Sequence, residues 1–223
     1  MPLPPLPRPE HPDPYTVHTR RAIYDNPWIR LREDIVSHRS GADQRRYSVV
    51  GFHKTACGVV ALDDRDRVVL VGQWRYPLET YSWEIPEGGG EPGESPFETL
   101  RRELAEEAGL EARIWEPLIF HHPSNSSTDE ESFVMLATGL AEVTGQADDD
   151  EELHVHREPF ADCLRRVLSG EISDGLTVVA LLALQARRSG CSEPLAPELA
   201  ERFFQRPQDH PSPGRARWQD LPR

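Results

Sequence analysis

Apolar positions along the chain follow two periods. Short runs rich in β-branched and aromatic residues come first: "WIRLREDIV" (Trp28 to Val36) and "RYSVVGF" (Arg46 to Phe52), a composition suited to extended strands. "CGVVAL" and "RVVLVGQW" flank the charged "DDRDR" of Asp63 to Arg67 and predict a hairpin. "YSWEIP" predicts a short strand running into glycines, and "ARIWEPLIFH" and "ESFVMLATGL" predict two strands around a polar loop. Helical spacing then takes over in "PFADCLRRVLSG" and "LTVVALLALQARR", with Gly170 as a C-cap. A further helix is predicted among the strands. Ser95 is its N-cap, Pro96 suits the first position, and Glu98 completes a Ser-x-x-Glu capping box. Phe97, Leu100, Leu104 and Ala108 form its core stripe, and Gly109 ends it. The fold class that follows is mixed α/β (α+β), a sandwich with a segment rich in glycine and carboxylate at its middle.

The two ends break this pattern. Residues 1–14 are rich in proline and predict a solvated, polyproline-like arm. Residues 15–190 form the expected folded domain, with 15–53 supplying N-terminal strands. Residues 191–223 read as a tail rich in Pro, Arg and Asp. Within it "PELAERFFQR" predicts one short helix whose Phe203 and Phe204 dock on the body.

Composition narrows the class. The 223 residues are 37% hydrophobic and 28% charged, which suits one globular domain with extensions. Cys57, Cys163 and Cys191 form neither a metal-type pair nor an even disulfide set, so they read as reduced thiols in the cytoplasm. No apolar run reaches the length of a membrane span, and the N-terminus lacks a signal-peptide core. A formal net charge of −13 opposes nucleic-acid binding and would repel phosphorylated substrates unless cations or local arginines screen it.

Carboxylates are nevertheless crowded into "IPEGGGEPGESPFETLRRELAEEAGL" (Ile85 to Leu110). Glu103, Glu106 and Glu107, at i, i+3 and i+4, share a second helical stripe roughly 100° from the core stripe. Like charges one turn apart repel, and Arg102 can brace the loop by pairing with Glu94. Hard divalent cations take carboxylate oxygens together with carbonyls and phosphates. Gly88 to Gly90 would let the backbone bring in a carbonyl near Glu87. A solvated acidic face accounts for the three glutamates alone equally well.

The full spacing goes further. Gly88, five residues, Glu94, seven residues, then Arg102-Glu103-Leu104-Ala105-Glu106-Glu107-Ala108-Gly109-Leu110 matches the Nudix box, and the chain resembles the Nudix hydrolases. The resemblance implies a Nudix-type α/β/α sandwich with a mixed sheet, plus N-terminal antiparallel strands. It implies Mg²⁺, or Mn²⁺, held by Glu103 and Glu107, with Glu106 as a ligand or water-orienting neighbour and the Glu87 carbonyl completing the shell.

"NPWIRLRED", "VGQWRYPLETYSWEIPEGGG", "HHPSNSSTDE", "EELHVH" and "GEISDGLTVVALLAL" extend the likeness to the ADP-ribose and nucleotide-sugar pyrophosphatase branch. There Arg75 would contact the substrate diphosphate. Glu84 would sit near the metal or the terminal ribose, or else pair with Arg75 or Arg102. Trp28 would stack on the base from the strands of a partner subunit, or else pack in the dimer core, and the expected assembly is a homodimer. Glu151 would be the general base, with Asp149 and Glu152 as neighbours that could substitute, and Asp148 a solvated neighbour. One departure stands out. ADP-ribose-specific members carry a proline about fifteen residues beyond the box, whereas Pro117 and Pro123 lie seven and thirteen residues beyond Leu110. Other nucleotide sugars therefore stay open. His121-His122 and His154-x-His156 offer imidazoles on strands but no third ligand at a recognisable spacing.

The implied function is Mg²⁺-dependent hydrolysis of the diphosphate of ADP-ribose or a related nucleoside diphosphate sugar, giving a nucleoside monophosphate and a sugar phosphate. Cleavage of coenzyme A or dinucleoside polyphosphates, and an ADP-ribose-binding sensor, are the alternatives. No nucleic-acid or membrane partner is expected.

Overall fold

The structure is a computed structural model that describes residues 6–8, 10–11, 13–41, 43–143, 152–191, 193 and 195–206. The chain divides into two compact units. The first takes the chain up to His53 together with Ser124–Glu130. It is a three-stranded antiparallel sheet of β1 (Tyr15–Asp25), β2 (Ile29–His38) and β3 (Gln44–Phe52), in that order. The turn from β1 to β2 is set by Asn26, whose Oδ1 accepts the N–H groups of Trp28 and Ile29 at 2.9 and 2.7 Å, the local bonding that makes Asn a turn residue. The segment 124–130 lies against β3: Val50 donates to the Ser127 carbonyl at 2.9 Å, and Asp129 donates back to Val50 at 3.2 Å.

The second unit holds a mixed sheet of β4 (Ala56–Leu62), β5 (Arg67–Arg75), β6 (Thr80–Glu84), β7 (Glu87–Gly89), β8 (Leu110–His121), β9 (Ser132–Glu142) and β10 (His154–Pro159). Its main path runs β10-β5-β4-β9-β8, with β6 on β5 and β7 on β4, and β4 pairs with β9 in parallel. Among the described residues four α-helices complete it: α1 (Pro96–Ala108), α2 (Phe160–Ser169), α3 (Gly175–Arg188) and α4 (Pro197–Arg202). Alternate residues of β4 explain the layering. Val60 and Leu62 face a cluster with Leu176, Leu181 and Leu184 of α3 and Phe160 of α2. Cys57, Val59 and Ala61 face another with Leu100 and Leu104 of α1 and with Phe203. Covering on both faces is why the central strands read as continuous apolar runs.

Two features depart from the sequence expectation. The hairpin around Asp63 to Arg67 closes only at its turn, with Leu62 opposite Val68. Both β10 and β6 pair with Val71 and Gly72, so β6 occupies the edge of β5 that β4 would otherwise extend along. Likewise β7 takes the edge of β4 opposite β9. The sheet thus parts, and β6 and β7 wedge into the gap. The glycine turn, expected as a bend alone, is itself the three-residue strand β7.

Candidate active site

That wedge positions the acidic segment. Helix α1 starts where expected: Ser95 Oγ accepts from the Glu98 N–H at 3.3 Å, and Glu98 Oε2 accepts from the Ser95 N–H at 2.7 Å. The Ser95 N–H, and then the Ser95 hydroxyl donating to the same oxygen at 2.9 Å, hold the Glu98 carboxyl below its ordinary range. Gly109 closes the helix in a left-handed conformation, φ 63°, where glycine carries no Cβ penalty.

The helix then presses its glutamates onto β7. A Cβ at Gly88 would run into the Glu103 carboxylate, so the approach depends on glycine. The Glu87 N–H donates to Glu107 Oε2 at 2.9 Å. Arg102 gathers the remaining charge. Its guanidinium donates to Glu94 Oε1 at 3.0 Å and to Glu103 Oε1 and Glu106 Oε2 at 2.8 Å each, and it reaches the Gly89 carbonyl at 3.3 Å. The expected brace between Arg102 and Glu94 is therefore present, and one cation offsets three like charges. Burial pulls the Arg102 pKa down, but Glu94, Glu106 and Glu103 outweigh it and the net shift is upward. Arg102 in turn holds the Glu94 carboxyl below its ordinary range.

A second group of charges sits beside Glu87. Arg75 donates through Nε to Glu84 Oε1 at 2.9 Å, through Nη2 to Glu84 Oε2, and more distantly to Glu87 Oε1 at 3.4 Å. Glu84 is 2% exposed, and a carboxylate that buried needs such a partner. The same contact raises the Arg75 pKa. Asp174 joins them as the N-cap of α3, accepting the Thr177 N–H at 2.7 Å, while Thr177 Oγ1 accepts the Ile85 N–H at 3.0 Å. These bonds fasten the first turn of α3 to the segment before Glu87.

Carboxylate oxygens of Glu84, Glu87 and Asp174 lie within 4.8 Å of one another. Burial, then the charges of Asp174 and Glu84, push the Glu87 carboxyl well above its ordinary range. Its Oε2 is buried and, among the described residues, accepts no hydrogen bond. An all-oxygen set with an unsatisfied, repelled carboxylate fits a hard divalent cation.

Of the residues named from sequence, Arg75, Glu84, Glu87, Glu103, Glu106 and Glu107 all belong to the second unit and meet around β6, β7 and α1. Trp28 belongs to the first unit and is 67% exposed. Glu151, Asp148 and Asp149 lie outside the described residues. The imidazoles of the second pair are otherwise occupied: His154 pairs with the Tyr81 hydroxyl at 3.1 Å and His156 with Glu158 at 2.9 Å. Among the described residues no histidine joins a metal-type group. Burial and His122 lower the His121 pKa against an opposing pull from Asp174. Sequence reasoning missed Asp174, because an Asp-Gly pair before an apolar helix carries no signal beyond that of a cap.

Residues 52–183 match the NUDIX domain family model. The chain belongs to the NUDIX family. It is 36% identical over 167 residues to an ADP-ribose pyrophosphatase of Mycobacterium tuberculosis, spanning 74% of this chain and 80% of the relative. It is 32% identical over 176 residues to a methanol dehydrogenase activator of Bacillus methanolicus, spanning 78% and 94% respectively. The fold matches a crystal structure of an ADP compounds hydrolase with a TM-score of 0.72 and 21% identity, covering 81% of this chain and 97% of the other. The mixed α/β layering is thus that of a NUDIX fold.

Proposed function

We propose that the protein hydrolyses the diphosphate bond of ADP-ribose or a related nucleoside diphosphate sugar. Water adds to one phosphorus, the bridging P–O bond breaks, and a nucleoside monophosphate and a sugar phosphate leave. The observation that carries this reading is the seating of Glu103 and Glu107 against Gly88 and Glu87. It supports a divalent-cation site that suits a diphosphate, and it occurs in a chain similar to a named ADP-ribose pyrophosphatase.

Mg²⁺, with Mn²⁺ as substitute, would neutralise the diphosphate and polarise its phosphorus when bound. Glu103, Glu106, Glu107 and the Glu87 carbonyl would hold it. Asp174, Glu84 and the Glu87 side chain supply a neighbouring oxygen set. Arg75, on a strand beside the box helix, offers a planar fork of donors to phosphate oxygens, and substrate would compete with Glu84 for that fork. Glu151 would take the proton from the attacking water, since carboxylates committed to a cation are weak bases.

The assembly in this reading is a homodimer in which Trp28 stacks on the base. Each unit, taken by itself, exposes apolar side chains that suit burial by a second copy: Val17, Ile23, Tyr24 and Trp28 in the first, and Trp74, Tyr76 and Leu78 in the second. Among the described residues Cys57, Cys163 and Cys191 form no disulfide, in keeping with a cytoplasmic setting. No described helix is long and apolar enough to cross a membrane.

The deciding experiment incubates the protein with ADP-ribose, ADP-glucose, other nucleotide sugars, coenzyme A and dinucleoside polyphosphates, with Mg²⁺ against EDTA, and measures the monophosphate released. Release from nucleotide sugars that depends on Mg²⁺ is expected. Release from none of them overturns the reading. The similarity to a named dehydrogenase activator keeps a second reading in view, a sensor, and tight binding of ADP-ribose without turnover would favour it.

A further inference from the structure

The NUDIX match ends at residue 183, yet the chain beyond it returns to the box helix. The first N–H groups of an α-helix have no partner within the helix. In α1 the capping box serves Glu98, and Pro96 has no N–H, which leaves Phe97. Its N–H donates to the carbonyl of Phe203 at 2.9 Å. A residue just past α4 thus completes the N-cap of the helix that carries Glu103 and Glu107.

Three further contacts fix that carbonyl. Phe203 is fully buried, with its ring 5.0 Å from Phe133 of β9, in the same cluster as Leu100 and Leu104 of α1. Phe97 is held between Trp115 at 5.6 Å and Phe204 at 5.3 Å. Arg202 donates to both carboxylate oxygens of Glu131, at 2.9 and 2.8 Å, and lies over the rings of Phe120 and Phe133 at 5.0 and 5.2 Å. Glu131 is 3% exposed, so Arg202 is the countercharge that a buried carboxylate requires.

The anchor connects directly to the glycine turn. The Glu131 carbonyl accepts from Ala56, and the neighbouring Thr55 carbonyl accepts from Gly90 at 3.0 Å. One end of this network is therefore the start of α1, and the other is the strand that Glu103 and Glu107 press against. We infer that Arg202 and Phe203 form a C-terminal strap that sets the position of α1 against β7, and so act as positioning residues for the cation site. The inference rests on the proposed role of the box glutamates, and its consequences reach past stability alone.

The test compares full-length Arg202→Met, Arg202→Lys and Phe203→Leu with Leu184→Ala, a destabilising change in α3 on the opposite face of the sheet. Mn²⁺ binding is followed by electron paramagnetic resonance, and amide exchange at Phe97 by mass spectrometry or NMR. Supporting contacts to metal ligands typically change affinity by 10- to 100-fold, so Arg202→Met is expected to weaken Mn²⁺ about 10-fold, with KM for ADP-ribose within about twofold. Arg202→Lys should recover part of the loss. Phe203→Leu should speed exchange at Phe97, while Leu184→Ala should leave Mn²⁺ affinity unchanged despite a lower Tm. The strap is overturned if Arg202→Met and Phe203→Leu bind Mn²⁺ like the unaltered protein, or if Leu184→Ala weakens it as much. Because exchange at Phe97 needs no turnover, a protein that hydrolyses nothing still tests the strap.

Discussion

At the residue scale, Glu107 does two things that spacing alone keeps apart. Its carboxylate accepts the Glu87 N–H, and it is an expected ligand for the cation. Glu107→Gln can keep the first contact through its amide oxygen while losing the charge. Its kcat should fall at least ~10²-fold, the scale of one preorganised electrostatic contact, with a much smaller change in KM and a retained Tm. Glu151→Gln should likewise keep Mg²⁺ and substrate binding yet lose most of kcat, with Asp148→Asn near normal, and steady-state assays on ADP-ribose separate the three. Normal turnover in Glu107→Gln at saturating Mg²⁺ would remove the box from catalysis.

A carboxylate on β10 sets a different expectation. His156 and then Arg166 hydrogen-bond Glu158 and hold its carboxyl below the ordinary range. A depressed folded pKa contributes stability that is complete above the unfolded value, about 4.3, and disappears as pH falls through the folded one. Glu158→Gln should therefore flatten the acid limb of Tm against pH below about 4.3, and superimposable limbs would refute the coupling.

At the element scale, what could be read from sequence divides along a physical line. The capping box at Ser95, the brace from Arg102 to Glu94 and the αL ends at Gly109 and Gly170 all depend on near neighbours in sequence, and all are present. The parting of β4 from β5 depends on which strand claims an edge. Two apolar runs around a charged turn look the same whether they stay paired or diverge, so the wedge of β6 and β7 had no local signature. The same reasoning covers Asp174, which meets Glu84 and Glu87 only because Thr177 docks on Ile85. Gly88 shows how narrowly the elements are fitted. Since the obstacle to a Cβ there is the tip of a flexible Glu103 side chain, Gly88→Ala should fold with its Tm nearly intact. Displacing the Glu103 carboxylate, an expected ligand, should nonetheless lower kcat by up to ~10²-fold, the cost of about 1 Å of misplacement. Activity within twofold of the unaltered protein would show that Glu103 is free to move.

At the scale of the whole molecule, assembly is the first consequence to check. If Trp28 serves a partner's site, light scattering should report twice the chain mass, and Trp28→Ala should raise KM while the dimer persists. A fully active monomer would rule out the composite site. The parallel pairing of β4 with β9 carries a different consequence, for the order in which the protein is made. Everything from the Asp63 turn to the end of β8 lies between those two strands, α1 included. Long-range parallel pairing closes slowly, because loop entropy is lost before contacts compensate. A ribosome must release β9 before the sheet can shut and before Phe133 and Met135 can join Leu100 and Leu104 of α1 in one cluster, so a newborn chain carries the complete box in its sequence well before that cluster can close. Pulse-labelled exchange during refolding should find the amides of α1 and β9 becoming protected together; early, independent protection of α1 would contradict this order.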